Sequence, residues 1–453
     1  MASPTLPSTS SASLSSQTTE EKRDHRPNQD ISGASTPPPT SKSDPTFITW
    51  TSPTDPSNPF NFSPSKKWRT TLLACTMTFV VQVSGTMLTS AAEQINTSFN
   101  VSDEAFPHSY WPVLSWNLGG AAAPLLGLPL MENFGVRWSY MAIYAVLIIF
   151  IIPQALAKNF ATIFLSQIIF YSALMPVLFF LLPEVRPDVI LTQRARHIRA
   201  KTGKEVYAQA EKEHTSFGEI LKETLVRPTR MLCTEGVVLS FGLWSAFCIG
   251  TAFMFTQSIV QVFSELYGWT FFGTGLVQSA VVIGELIGLV ASLVQDRIYF
   301  ASARRNTETP GKPIPEARLY LSIPASFIGL SGGLFYFAWT SYSSIPWIVP
   351  SISLAFVGFG MFCSTAGVTT YVVDAYAKYA ASAIAGIAFL ENFMAAFLPL
   401  ATQSMYRTLG FNWASSLLGF IALALSFIPL ILLRFGKSIR GKSPFMSEAG
   451  YED

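Results

Sequence analysis

Charge is scarce in this chain. Asp, Glu, Lys and Arg make up 13% of its 453 residues, where a soluble globular chain carries about 25%. So little charge cannot cover a water-exposed surface, which excludes an ordinary soluble globular protein for most of the length. Cysteine is also sparse. The four present, Cys75, Cys233, Cys248 and Cys363, lie in or beside apolar runs with no paired spacing. That excludes a disulfide framework or a thiolate metal site and leaves them as apolar filler. Outside the apolar runs there is no nucleotide-binding loop, metal-ligand cluster or activated-nucleophile pattern. No enzyme is therefore expected, no residue is read as catalytic, and neither a metal nor another cofactor is implied. A secretory leader is lacking too. Met1 to about Asp44 is rich in Ser, Thr and Pro, with mixed charge and no apolar core, the composition of a disordered tail.

What is present is apolar. Hydrophobic residues reach 49%, with 36 Phe and 10 Trp, and the mean hydropathy is +0.36. Ten apolar stretches are each near the ~20 residues needed to cross a bilayer as a helix. They run roughly over Trp68–Ser90, Tyr110–Met131, Trp138–Ala157, Phe160–Leu182 and Leu232–Val262, then Thr270–Val294, Leu319–Thr340, Pro346–Val373, Ser382–Met405 and Trp413–Leu433. Lipid cannot satisfy open backbone groups, so helix is the expected state for each. The fold class is an all-α polytopic membrane protein. Its expected parts are a disordered tail (1–64), a four-helix membrane half (65–183), a basic loop (184–230), a six-helix membrane half (231–434) and a closing tail (435–453).

The basic residues orient the spans. With residue 1 on the cytoplasmic side and strict alternation, only Lys158 and Arg407 of the 30 Lys and Arg fall outside. Twenty-eight then lie inside, the asymmetry expected of cytoplasmic loops, and both termini are cytoplasmic. The long loop contains RARHIRAKTGKEVYAQAEKEH, a helix-permissive polar run. Its charge is read as an anchor beside anionic lipid rather than a nucleic-acid surface.

Four stretches carry a family resemblance. DPSNPFNFSPSKKW precedes the first span, and GLPLMENFGVRW (Gly127–Trp138) joins the second and third. YVVDAYAKYAASAIAGIAFLENF (Tyr371–Phe393) links the last two passes but one, and MYRTLGFNWASSLLGFIAL with GKSIRGKSPFMSEA closes the chain. Together they resemble the major facilitator superfamily, in its fungal drug:proton antiporter branch of polyamine, multidrug and metabolite-cluster exporters. The resemblance implies the major facilitator fold with 12 helices, of which about 10 are visible. It implies a small-molecule substrate, protons as the coupling ion, and a monomer in the lipid bilayer. The location implied is the plasma membrane, with the vacuolar membrane as the alternative.

In Gly127–Trp138, Glu132, Gly135 and Arg137 fill the acid, turn and base roles of the family's signature loop, which can lock two helices. Leu128 and Val136 stand where a glycine and an arginine are usual. Asp296 and Arg297 occupy the corresponding loop of the second half, and Asp374 at a helix end reads as a latch or cap. The first half departs from the family. NFATIFLSQII reads like the start of a fourth helix and FYSALMPVLFFLLPEVRPDVILTQRARHIR like the end of a sixth. The join falls near Ile169–Phe170, leaving out about two helices, roughly 60 residues with their loops. Either a gene-model or splice truncation or a natural ten-helix variant accounts for it.

Acidic groups at membrane depth are costly and so are functional candidates. Glu285 lies mid-span in QSAVVIGELIGLVASL, and Glu391 lies beside Asn392 in GIAFLENFMAAFLPL. Each is read as a substrate or proton site, with an interhelical hydrogen bond as the plainer alternative. Glu93 and Glu235 sit at span ends and read as interfacial. Gln257 and Gln261 share a helix face, with Thr256, Phe253, Phe255 and Trp244 nearby, a mixture suited to a bulky amphipathic guest. Asn117, among Gly and Ala, is a weaker candidate. Asn96 and Asn100 begin glycosylation patterns in the first outer loop.

The function expected is proton-coupled efflux of small organic compounds: a drug, toxin or secondary metabolite, neutral or weakly charged and aromatic rather than a polyamine. A nutrient or polyamine transporter of the same superfamily, or a transport-inactive membrane protein, are the alternatives.

Overall fold

The structure is a computed structural model. It describes residues 46–90, 110, 113–121, 135–142, 144–145, 183–184, 187–203, 205–208, 211, 217–306 and 310–449. The spans expected over Tyr110–Met131 and Trp138–Ala157 lie only partly within these residues. The span Phe160–Leu182, the Ile169–Phe170 join, the tail before Thr46, Glu93, Asn96, Asn100 and Glu132 lie outside them.

Of the first half, helix α1 and two shorter lengths of helix are described. Helix α1, Pro64–Ser90, buries Leu73, Met77 and Val80 at the i, i+4, i+7 spacing of one helix face. Trp68, Leu72 and Phe79 are exposed on its other side, where lipid is the solvent. Helix α2 is described over 113–121 and buries Val113, Asn117 and Ala121, again every fourth residue. Helix α3 begins at Val136.

The loop between the halves is folded. Helix α4, Pro187–Thr202, takes in only the first part of the polar run expected as surface helix. It is followed by a strand, β2 (Val206–Tyr207), which pairs in parallel with β1 (Thr46–Phe47) ahead of α1. Two residues are too few to show alternation, so this pair left no mark in the sequence. Helix α5, Phe217–Thr234, leads to a break at Glu235, whose backbone is extended.

The second half makes six membrane-length passes. These are α6 (Gly236–Tyr267), α7 (Phe271–Ser302), α8 (Pro315–Thr340), α9 (Ile348–Tyr376), α10 (Ala380–Phe397, extended by a tighter turn through Ala401) and α11 (Thr402–Lys442). The run from Ala380 to Lys442 is nearly continuous helix over 63 residues. At 1.5 Å per residue that is about three times a ~30 Å hydrocarbon core. It doubles back at Gly410, whose φ of 76° is left-handed and accessible to glycine. The stretch 406–412, expected as a plain loop, is therefore helix on both sides of one glycine. Helix α11 also runs past Leu433 into the basic tail, and a short helix α12, Pro444–Ala449, packs back against the bundle through the buried Met446 and the edge of Phe445 on Tyr379, 5.1 Å between centroids.

Close backbone crossings hold this half together. A Cβ on Gly284 of α7 would strike the Ala355 carbonyl, and one on Gly358 of α9 would strike the Val281 backbone. Small residues let helices approach within van der Waals contact of their backbones, the main source of helix association in lipid. Gly360 meets Leu330 in the same way, where α8 runs as a π-type helix over Ala325–Gly332.

Candidate functional site

Helices α2, α6 and α10 converge where the two halves meet. Glu391 lies about midway along the pass made by α10, and its carboxylate is hydrogen-bonded to the Ser245 hydroxyl of α6. Asn392 binds its own helix, Nδ2 to the Ala388 carbonyl at 2.8 Å, and its Oδ1 lies against Gly120 of α2, 2.6 Å from where a Cβ would stand. One turn earlier on α2 is the buried Asn117, whose amide donates to the Val113 carbonyl at 2.9 Å. Trp116 packs against Phe253 of α6 with the rings tilted, 6.3 Å between centroids. At the end of α2 away from the basic loops, the buried Tyr110 donates its hydroxyl to the Ala395 carbonyl of α10 at 2.6 Å. Glu391 thus meets α6 and Asn392 meets α2, with Asn117 one turn from that meeting point. Phe253, Gln257 and Gln261 share one face of α6 at i, i+4, i+8, the face that reaches Trp116.

The expected aromatic lining is only partly assembled. Trp244 and Phe255 are fully buried, turned into the core of the second half. Trp244 packs on Phe241 at 6.0 Å and Phe255 on Phe337 at 6.1 Å. A space of about 350 Å³ opens between α6 and α7, lined by Phe255, Thr256, Gln278 and Ser279 among others. Gln278 donates to the Thr256 carbonyl at 3.4 Å. Glu285, half-buried, lies two turns from Gln278 on the same face of α7. It is therefore separate from the Glu391 cluster.

At the end bearing the basic loops, two polar knots tie helices. In the first half, Glu184 caps the start of α3. Its carboxylate accepts from the Val136 and Arg137 backbone amides at 3.1 and 3.2 Å. An acid at a helix N-terminus meets unpaired N–H groups and the positive end of the dipole. Gly135, with φ of 84°, makes the turn and leaves room for that carboxylate, against which a Cβ would collide. In the second half, Arg318 bridges Asp296 and Asp374, both at 2.8 Å, and stacks on Tyr299 at 3.4 Å. It joins the ends of α7, α8 and α9. Arg297 is exposed beside this knot.

A third knot lies ahead of α1. Asp55 accepts from the Thr51 hydroxyl at 2.6 Å, the Ser57 amide at 2.9 Å and Arg194 of α4 at 2.9 Å. The Thr51 and Arg194 bonds hold its carboxyl well below the ordinary carboxylate value. On the same loop, Arg199 pairs with Glu211 at 2.6 Å. Hydrogen bonding from Arg199 lowers the Glu211 pKa and raises that of Arg199.

Residues 84–399 match the family model of the Major Facilitator Superfamily, well over half the chain. The chain belongs to the major facilitator superfamily. That is a family of transporters, not of enzymes, and this one is a multi-pass membrane protein. The MFS-type efflux pump MFS2 of Trichophyton rubrum is 30% identical, over 90% of this chain and 78% of its own. Efflux pump radE of Floropilus chiversii is 27% identical, over 89% and 86%. The citrinin biosynthesis cluster MFS transporter mrr1 of Monascus ruber is 28% identical, over 88% and 92%. The transporter is thus related to fungal efflux pumps and secondary-metabolite transporters. The first alignment runs over 476 positions while taking in 90% of this chain, about 408 of its 453 residues. About 68 positions of that relative therefore find no residue in this transporter.

Two residues of the transporter's first two knots escaped sequence reading. Arg318 looked like one more basic loop residue, and Glu184 like the first residue of a loop. Glu184 lies 47 residues from Arg137 and Arg318 lies 56 from Asp374, so no local spacing could pair them. Glu235, read as interfacial, is buried within the protein. It accepts from the Ser443 hydroxyl at 2.7 Å and the Tyr376 hydroxyl at 3.1 Å.

Proposed function

We propose that this transporter exports small organic compounds in exchange for protons, with Glu391 carrying the coupled proton. The observation that supports this is the Glu391–Ser245 contact between α10 and α6, one residue from where Asn392 meets Gly120 of the first half. A serine hydroxyl can donate to a carboxylate or accept from a carboxylic acid, so one partner serves both protonation states. The site lies at membrane depth, where a carboxylate is costly and functional by default, and between halves that rock in alternating access. Asn392 and Asn117 flank it as substrate contacts. Gln257, Gln261 and the Trp116–Phe253 pair suit a neutral or weakly charged aromatic guest better than a polyamine, and Glu285 is a secondary proton or substrate site. The naming of relatives as efflux pumps and as a citrinin-cluster transporter supports outward transport of drugs, toxins or secondary metabolites.

Gly135 and Arg137 with Glu132, and Asp296 and Asp374 with Arg297, act as conformational latches in this reading, with Glu184 and Arg318 as their partners. The basic loops and both termini face the cytoplasm, the protein sits as a monomer in the plasma membrane, and Asn96 and Asn100 carry glycans. Protection of tags at either end from protease in sealed cells, and a glycosidase-sensitive mass, test those assignments.

The test of function uses proteoliposomes holding the whole chain, an imposed pH gradient and Nile red as the neutral aromatic probe. Gradient-driven movement should vanish in Glu391→Gln while counterflow without a gradient persists. Equal gradient-driven movement by the variant refutes the assignment. A second reading is favoured by the roughly 68 unmatched positions, which we place at the Ile169–Phe170 join: the chain as it stands is transport-inactive. Sequencing the full-length transcript across that join decides it. Reads that restore two helices make this sequence a truncation, and an abundant direct join makes it a ten-helix variant.

A further inference from the structure

The space of about 350 Å³ between α6 and α7 lies nearer the end of the bundle away from the basic loops. Its wall is largely apolar, with Phe255 and Ile259 from α6 and Val282 from α7, and no charged residue lines it. Two polar side chains of α7 stand beside these, Gln278 and Ser279. Gln278 is held by one end only. Its Nε2 donates to the Thr256 carbonyl of α6 at 3.4 Å, which turns the amide oxygen, Oε1, the other way. Oε1 has no donor among the described residues. It is not sealed away: the side chain is only half-buried, in contrast to the fully enclosed hydroxyls of Thr251 and Ser258 on α6. Gly275, one turn earlier on α7, also lines the space, and a Cβ there would meet nothing within 4 Å. The space is therefore open at Gly275 rather than filled by packing.

An amide oxygen without a donor is costly at membrane depth, because lipid offers no replacement for water. A guest carrying a single N–H or O–H relieves it, and the rest of that guest must be apolar to suit Phe255, Ile259 and Val282. A carboxylate or an ammonium finds no counter-charge on this wall. An amide brings a carbonyl of its own as well as an N–H, with only Ser279 left to answer it. A phenol brings one strong donor on a flat apolar ring. We infer that Gln278 recognises the hydroxyl of neutral phenols, whose ring lies in the space between α6 and α7. This rests on the export of small aromatic compounds proposed above and adds the group by which they are told apart. The methyl ether of a phenol has the same ring and no donor, so it leaves Oε1 unsatisfied.

Para-phenylphenol and its methyl ether, both neutral at about pH 7, test this by equilibrium dialysis. Nanodiscs holding the purified full-length chain are dialysed against each, and empty nanodiscs subtract what the lipid takes up. The wild type should bind the phenol about tenfold more tightly than the ether, the worth of one hydrogen bond to an otherwise unpaired group. Gln278→Met has nearly the same shape and no amide oxygen. It should bring that ratio close to one while the melting temperature stays close to wild type. Gly275→Leu places a side chain in open space and should lower retention of both compounds. Equal retention of phenol and ether by the wild type, an unchanged ratio in Gln278→Met, or undiminished retention in Gly275→Leu overturns the inference. A ratio that collapses in Ser279→Ala and not in Gln278→Met overturns Gln278 as the residue that recognises the hydroxyl. Equal retention of the saturated alcohol cyclohexylcyclohexanol overturns the phenol as the recognised class. No pH gradient is applied, so loss of the ratio leaves the proton role of Glu391 standing, and failure of that role leaves the ratio in place.

Discussion

Helices α6 and α7 are neighbours of 32 residues each and almost equal apolarity, yet 67% of the most apolar part of the first is buried and only 17% of that of the second. In water the more apolar helix would be the more buried. In lipid the order reverses, because tails are as apolar as leucine and provide no reason to hide it. Helix α6 turns small and polar residues toward protein: Ser245, Cys248, Thr251 and Ser258 are all within 1% of full burial, and Ser245 meets Glu391. Helix α7 touches the bundle along Val277, Gly284 and Gly288 and turns Leu286, Val290 and Leu293 outward. Apolarity therefore tells which segments cross the membrane, and the small and polar residues tell which face meets protein.

The largest effect expected from that contrast is at the α7–α9 crossing. Gly358→Leu drives a side chain into the Val281 backbone and should cost about 3 kcal/mol, at the upper end for overpacking. Leu286→Ala on the outward face should stay within about 0.5 kcal/mol. Thermal unfolding in detergent compares the pair, and a Leu286→Ala loss as large as that of Gly358→Leu would place α7 in the interior. Next comes Ser245→Ala on α6, which strips Glu391 of its partner and should cost about 1–3 kcal/mol. The control is Ser292→Ala on α7, where the hydroxyl only back-bonds to the Leu289 carbonyl at 2.6 Å, and where no measurable loss is expected.

Smaller is the effect of Arg318→Ala, which frees the ends of α7, α8 and α9. Its carboxylate partners are partly exposed, so screening limits the loss to about 1–2 kcal/mol. Arg318→Lys should recover part of it, having a charge but not the planar fork. The most local effect is the acid response of the Asp55 knot. Its carboxyl is lowered from 3.8, so its contribution to stability is complete above about pH 4 and is lost as pH falls further toward the folded value. Hydrogen exchange of residues 46–64 should show protection fading only below about pH 4. In Asp55→Asn that protection should be weak at every pH.

The membrane passes of the second half were legible because ~20-residue apolar runs admit one structure in lipid. Glu391 and Asn392 stood out because polar groups are rare at that depth, and Asp296 and Asp374 because they end helices. The partners were not legible. Ser245 lies 146 residues from Glu391 and Ser443 lies 208 from Glu235. Serine is common in membrane helices, so nothing local distinguishes the one that meets a carboxylate. The burial of Trp244 and Phe255 away from Gln257 could not be read either. On a helix that is apolar all round, periodicity does not say which aromatic faces a cavity.

The most direct test of the central claim is gradient-driven Nile red transport by the full chain in proteoliposomes, wild type against Glu391→Gln. Loss of the pH-driven component in the variant, with counterflow retained, is the predicted result. Gradient-driven transport of equal rate in both would contradict Glu391 as the proton carrier.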